Sequence, residues 1–148
     1  METVLNVLHV VTAVFIIGPM AVLPMIAMHA LRARQPASVA SLARLTTITS
    51  WGSLIVAILG FGVLGMSDPQ YDLSITTPWV WTSLILYLAA LALSLLGVAP
   101  ATRHAGERLQ TLSGDAEQAP RHYARIAASS GTVSVLLLVV VVLMVWKP

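Results

Sequence analysis

VLNVLHVVTAVFIIGPMAVLPMIAMHAL, residues Val4 to Leu31, is the stretch on which the fold turns. It contains no Asp, Glu, Lys or Arg. A bilayer core of roughly 30 Å is crossed by about 20 apolar helical residues. The run would reach about 42 Å at about 1.5 Å per residue, so a tilted or bent helix is expected. Pro19 and Pro24 each remove a backbone donor and predict that bend. A cleaved leader would open on basic residues. Here Glu2 precedes the run and the first basic residue is Arg32, so the run is expected to be a retained span.

Three further apolar runs follow, at 48–66, 78–98 and 126–146, the last including the unbroken Val135 to Val145. Composition agrees with four spans. Of 148 residues 57% are hydrophobic and 9% charged, with a mean hydropathy of +0.87. Soluble domains carry about 25% charged residues. The chain is therefore read as all-α: a polytopic membrane protein forming one four-helix transmembrane domain over residues 1–148. Short connections favour an up-and-down antiparallel bundle. Asp68-Pro69 and Gly114-Asp115 mark breaks, and Pro120 suits the first turn of the last helix. The stretch through Leu42, Leu45 and Ile48 reads as a polar-side extension of the second helix.

Basic residues orient the bundle. Arg32, Arg34 and Arg44 fall between the first two spans, and Arg103, Arg108, Arg121 and Arg125 between the last two. Seven of the eight Lys and Arg thus share one side, and only Lys147 falls on the other. The positive-inside rule then predicts that both ends of the chain are extracytoplasmic. The net charge of +2 is not gathered into a basic patch, so no nucleic-acid partner is expected. The expected partners are the lipid bilayer and a membrane-protein partner or a second copy of the chain. The absence of cysteine excludes disulfides, thiolate metal sites and Cys nucleophiles.

Small residues let helices approach closely in lipid. Ser53, Ala57 and Gly60 share a face of the second helix, with Gly62 and Gly65 beyond them. Ser83, Tyr87, Ala90, Ser94 and Gly97 do so on the third, and Ala127, Gly131 and Ser134 on the fourth. These are the expected contacts. Trp79, Trp81 and Trp146 fit an aromatic belt at the outer interface, and Trp51 a similar place toward the inner one.

An ionisable residue inside a span is a functional-site hypothesis, and His9 qualifies. Asn6 and Thr12, three residues to either side, extend it into a polar stripe expected to face the bundle interior. Neutral imidazole ligates haem iron and transition metals, with a neighbour such as Asn6 orienting the ring. The competing reading is a histidine bonded to a carbonyl or to Tyr87. For haem, the site would gather His9, the Gly60 to Gly65 end of the second helix, Gly60 and Gly62 above all, and Trp79, Trp81 and Tyr87 of the third. Glycines would admit the macrocycle and the indoles would cover its edge. Copper handling through Met20, Met25, Met28 and His29 is a weaker alternative. His104 and Glu107 lie one turn apart in the polar hairpin. No span contains an acidic residue, which argues against a carboxylate-driven pump. No phosphate loop, metalloprotease or triad motif occurs, so the sequence leans away from an enzyme.

Leu8-His9-Val10-Val11-Thr12, followed by Gly18, Pro24 and His29, resembles the opening helix of small bacterial membrane families. These include the HemJ-type protoporphyrinogen oxidases and the CopD-like copper-resistance proteins. The whole chain is most similar to a related, uncharacterised four-span family of predicted integral membrane proteins. There the third span opens on Pro-Trp and closes near Pro-Ala-x-Arg, as Pro78-Trp79 and Pro100-Ala101-Thr102-Arg103 do here. The HemJ likeness implies a b-type haem on His9. Those proteins also use a lysine in a later helix, whereas the one lysine here is Lys147. The resemblance further implies a multi-pass protein of the plasma (inner) membrane. Two functions are carried forward: haem or porphyrin binding through His9, and a non-catalytic accessory or assembly subunit of a larger membrane complex, such as a respiratory one.

Overall fold

A computed structural model describes residues 2–66, 77–111 and 119–146, without the side chains of 2, 119–123 and 125. The breaks read at Asp68-Pro69 and Gly114-Asp115 lie outside the described residues. The helices are α1 (Glu2–Arg32), α2 (Pro36–Gly65), α3 (Pro78–Ala92), α4 (Ala99–Thr111) and α5 (Ala119–Trp146). A π-helical segment, Leu93–Val98, joins α3 to α4. Four stretches are long and apolar enough to cross a membrane: Thr3–Arg32, Pro36–Gly65, the continuous rod Pro78–Thr111, and Ile126–Trp146. No strand occurs among the described residues.

Each rod lies against the next and α5 returns to α1, giving the antiparallel bundle. α1 and α2 pack along their length. The third rod meets α2 chiefly through the π segment and α4, while α3 packs on α5. α1 continues through Pro19 and Pro24 without interruption. It ends in a Schellman motif, in which Gln35 N–H donates to Ala30 O at 3.0 Å and Arg34 N–H to Leu31 O at 3.1 Å. Arg34 holds the left-handed position at φ 52°, where glycine is usual. Pro36 then starts α2, where its missing N–H costs no bond. α2 begins well before the apolar run, so the polar-side extension through Leu42 and Leu45 is part of one helix.

The core is a seam of Met20, Tyr87, Ala90, Leu91, Val98, Val133, Leu137 and Val140. Outside it the surface is apolar, with Phe15, Leu96 and Val145 among the most exposed side chains, as lipid-facing helices require. The small-residue stripes are partly relocated. On the third rod Ser83, Tyr87, Ala90 and Ser94 are buried as expected. Beyond Ser94 the buried residues are Val98, Thr102 and Gly106, and a Cβ on Gly97 would meet nothing within 4 Å. The i→i+5 bonding of the π segment adds about one residue to that turn and shifts the face from Gly97 to Val98. Gly106 takes up the seam role instead, with a Cβ there 3.0 Å from Val39. On α5 the seam is Ile126, Ser130, Val133, Leu137 and Val140, one residue off the expected stripe. Gly131 faces outward with nothing within 4 Å of its would-be Cβ. Ser134 does join the packing, donating to Ala21 O at 2.8 Å.

Trp81 is exposed and Trp79 half-buried at the start of α3, and Trp146 is exposed at the end of α5. Trp51 departs from the expectation. Its neighbour Gly52 lies against Ile16, midway along α1, which puts the exposed Trp51 side chain on the outer surface at mid-height rather than near the basic end.

Candidate functional site: the half-buried histidine of the first helix

The bundle interior is polar at intervals, and each polar group is matched. Tyr87 O–H donates to Ser53 Oγ at 2.9 Å, and Ser53 donates in turn to Ser50 O at 2.7 Å. Ser94 donates to Ser50 Oγ at 2.7 Å, and Ser50 to Thr46 O at 2.7 Å. These directions follow because each hydroxyl has one proton. No buried side-chain N or O among the described residues lacks a partner. The ladder ties α2 to α3 and the π segment at two depths. Each link matters because an unmade hydrogen bond has no water to fall back on there.

His9 lies outside this ladder, in the α1–α2 crease. Its Nδ1 is 3.0 Å from the carbonyl oxygen of Val56. A carbonyl only accepts, so Nδ1 carries the proton and Nε2 the lone pair. The carbonyl is reachable because of Gly60. Val56 O is the helical acceptor of residue 60, and a glycine there leaves it uncovered on the α1 side. A Cβ on Gly60 would lie 2.9 Å from His9 Cε1 and 3.7 Å from Nε2, so the imidazole occupies the space that a side chain would fill. Nε2 has no hydrogen-bond partner among the described residues. The ring is half-buried rather than enclosed. The Nδ1–H to carbonyl bond is the usual orienting contact of a ligating histidine.

The other residues expected at this site are dispersed. Asn6 is exposed, so the stripe Asn6, His9, Thr12 does not face the interior together. One turn of three residues rotates Asn6 away from α2. Thr12 donates to Leu8 O at 2.7 Å on its own helix. Gly62 is close to His9 in sequence depth but receives Leu5, 2.8 Å from its would-be Cβ. Tyr87 is buried against Ser53, one helix further in. The bond to a carbonyl is the competing reading of the sequence, and Val56 O supplies it; which carbonyl it would be could not be read, because backbone carbonyls carry no residue signature. A glycine one turn after the carbonyl, opposite a histidine, is the signal that could have found it.

The remaining histidines lie toward the basic end of the bundle. His29 is exposed in the last turn of α1, about 30 Å along the helix from His9. Met25 and His29 are exposed and Met28 half-buried on one side of α1, whereas Met20 is fully buried and stands off that face. On α4, Arg103 Nε bonds Glu107 Oε1 at 2.9 Å and His104 Nδ1 approaches Oε2 at 3.3 Å, all solvent-exposed. The Arg103 guanidinium, and secondarily His104, hold the Glu107 carboxyl below the usual glutamate range. Among the described residues no three His, Asp or Glu side chains come together as a metal site.

No curated protein and no solved structure matches the chain. The family model for "Predicted integral membrane protein (DUF2269)" does, over residues 3–148. That match gives no support for a relationship to the HemJ-type or CopD-like proteins. With four membrane-length apolar helices and this match along nearly its whole length, the chain belongs to the DUF2269 family of integral membrane proteins.

Proposed function

We propose that this protein binds a b-type haem or related metalloporphyrin through Nε2 of His9. The observation that carries the reading is the tautomer. Nδ1–H is committed to Val56 O, which leaves the Nε2 lone pair without a hydrogen-bond partner among the described residues. An imidazole nitrogen at the edge of the hydrocarbon gains from a ligand there. His9 would hold the group through Nε2, with Val56 O orienting the ring and Gly60 admitting it. The bound haem would supply one-electron redox chemistry. The role of this chain is to ligate, to orient the imidazole and to exclude water through the apolar flank of α1. The expected result is a Soret band in protein purified from haem-replete cells. His9→Ala abolishes it while the protein stays folded, and His29→Ala retains it. Colourless wild-type protein refutes the reading.

An accessory-subunit role is the second reading, and it rests on a separate observation. Gly18 and Gly131 are exposed, and a Cβ on either would meet nothing within 4 Å. Small residues on an outer face, rather than in a seam, are where a partner helix can approach closely. Gly131→Leu should then reduce recovery of a co-purifying membrane protein without unfolding the bundle. Unchanged recovery removes this reading.

A further inference from the structure

We propose that the outward crease between α1 and α2 at the basic end is a binding site for an anionic phospholipid. The crease is lined by Ile26, His29 and Ala33 on the α1 side and by Gln35, Ser38 and Ser41 on the α2 side. Its chemistry changes along the bundle axis. Ile26 is an exposed apolar side chain at the deep end. The Gln35 amide stands at the hairpin tip, about 10 Å or more on from Ile26, with the His29 imidazole and the Ser38 hydroxyl between them and the Ser41 hydroxyl nearly level with Ile26. That distance is close to the step from acyl chains to headgroups, given a hydrocarbon core of roughly 30 Å inside a bilayer of about 40–45 Å. One occupant matches both halves: a lipid with a chain on Ile26 and a phosphate among the polar groups.

Charge selects the class of lipid. Arg34 sits at the hairpin tip and Arg44 one turn past Ser41 toward the deep end, its long stem able to carry the guanidinium back toward the tip; both are exposed and flank the crease. From Thr3 to Met66 the sequence contains no Asp or Glu to compensate them. Donors are also present for phosphate oxygens. Ser38 donates to Gln35 Oε1 at 3.3 Å, which fixes the amide with its two N–H groups turned from Ser38. Small side chains at Ala33 and Ala37 keep the crease open. Basic crevices between helices at the cytoplasmic interface attract anionic headgroups, each basic side chain strengthening the attraction. The Schellman turn adds rigidity, because Arg34 is held in the left-handed conformation by two backbone hydrogen bonds rather than left on a loose loop.

The test is native mass spectrometry of the full chain released from micelles containing equimolar phosphatidylglycerol and phosphatidylcholine. Wild-type protein should retain phosphatidylglycerol selectively. Arg34→Asn with Arg44→Gln should weaken that retention about thirtyfold; asparagine tolerates the left-handed backbone that position 34 needs. Ala33→Leu, which fills the crease without changing charge, should weaken it as well. Arg108→Gln removes one charge outside the crease and should leave retention unchanged. Equal retention of both lipids by wild-type protein overturns the proposal. So does loss of retention in Arg108→Gln matching that of the double variant, which would mean diffuse attraction. Far-UV circular dichroism on each variant separates lost binding from lost fold, and a folded Ala33→Leu variant with undiminished retention also overturns it.

Discussion

Gly60→Ala isolates the contact on which the His9 geometry depends. A Cβ at residue 60 would stand 2.9 Å from His9 Cε1, closer than carbon atoms tolerate, so the imidazole must move. Moving it breaks the 3.0 Å bond from Nδ1 to Val56 O. Loss of that bond costs about 1 kcal/mol, and displacing a packed ring about 1–3 kcal/mol. Alanine's better helix propensity returns about 1 kcal/mol. The variant should therefore be destabilised by about 1–3 kcal/mol. Gly131→Ala is the matched control, because nothing lies within 4 Å of its new Cβ and only the propensity gain remains. The two variants should differ by about 2–4 kcal/mol. Unfolding of the detergent-solubilised protein with SDS, followed by far-UV circular dichroism, measures the difference. In a His9→Ala background it should collapse, since the ring that Cβ strikes is gone. Equal stability of Gly60→Ala and Gly131→Ala in the wild-type background would refute the placement of His9 against α2.

Three other outcomes follow from particular contacts. The cysteine-free chain permits single-cysteine labelling of intact cells: a membrane-impermeant maleimide should label Thr3→Cys and spare Ser41→Cys, and the reverse pattern contradicts the orientation inferred from the arginines. Ser53→Ala removes the acceptor of the Tyr87 hydroxyl and should cost about 1 kcal/mol; adding Tyr87→Phe should recover most of it, and additive losses would mean the two groups are not coupled. For Glu107, whose carboxyl is held low first by Arg103 and then by His104, the linkage runs as for any depressed acid. Its contribution to the end of α4 is present above the unfolded-state pKa and disappears as pH falls through the lower folded-state value. A carboxyl-detected NMR titration should place Glu107 below the ordinary glutamate range in wild-type protein, with Arg103→Gln moving it up; an unmoved midpoint rejects the ion pair as the cause.

The spans themselves were legible because lipid imposes one rule on every residue of a segment. Uninterrupted apolar character over a membrane's thickness identified all four rods without knowledge of any contact. The one-sided arginines were equally plain, since charge is read directly from the residues. Which face of each helix turns inward is a different matter. In lipid a leucine gains little by facing a helix rather than an acyl chain, so hydrophobic patterning does not mark the seam. Ala127, Gly131 and Ser134 and the true seam of Ile126, Ser130 and Val133 lie one residue apart, and both contain small side chains. Only packing chose between them. Gly97 and Pro100, whose ring crowds the Leu96 carbonyl, mark where the third rod is irregular, but only the structure shows that the irregularity is a π segment whose extra residue turns the lower half of the rod and exchanges Gly97 for Val98. His9 could be singled out as an ionisable residue in a span. That it faces α2, with a tautomer set by the Val56 carbonyl beside a glycine, depends on a backbone atom brought near by folding, and tertiary structure alone decides that.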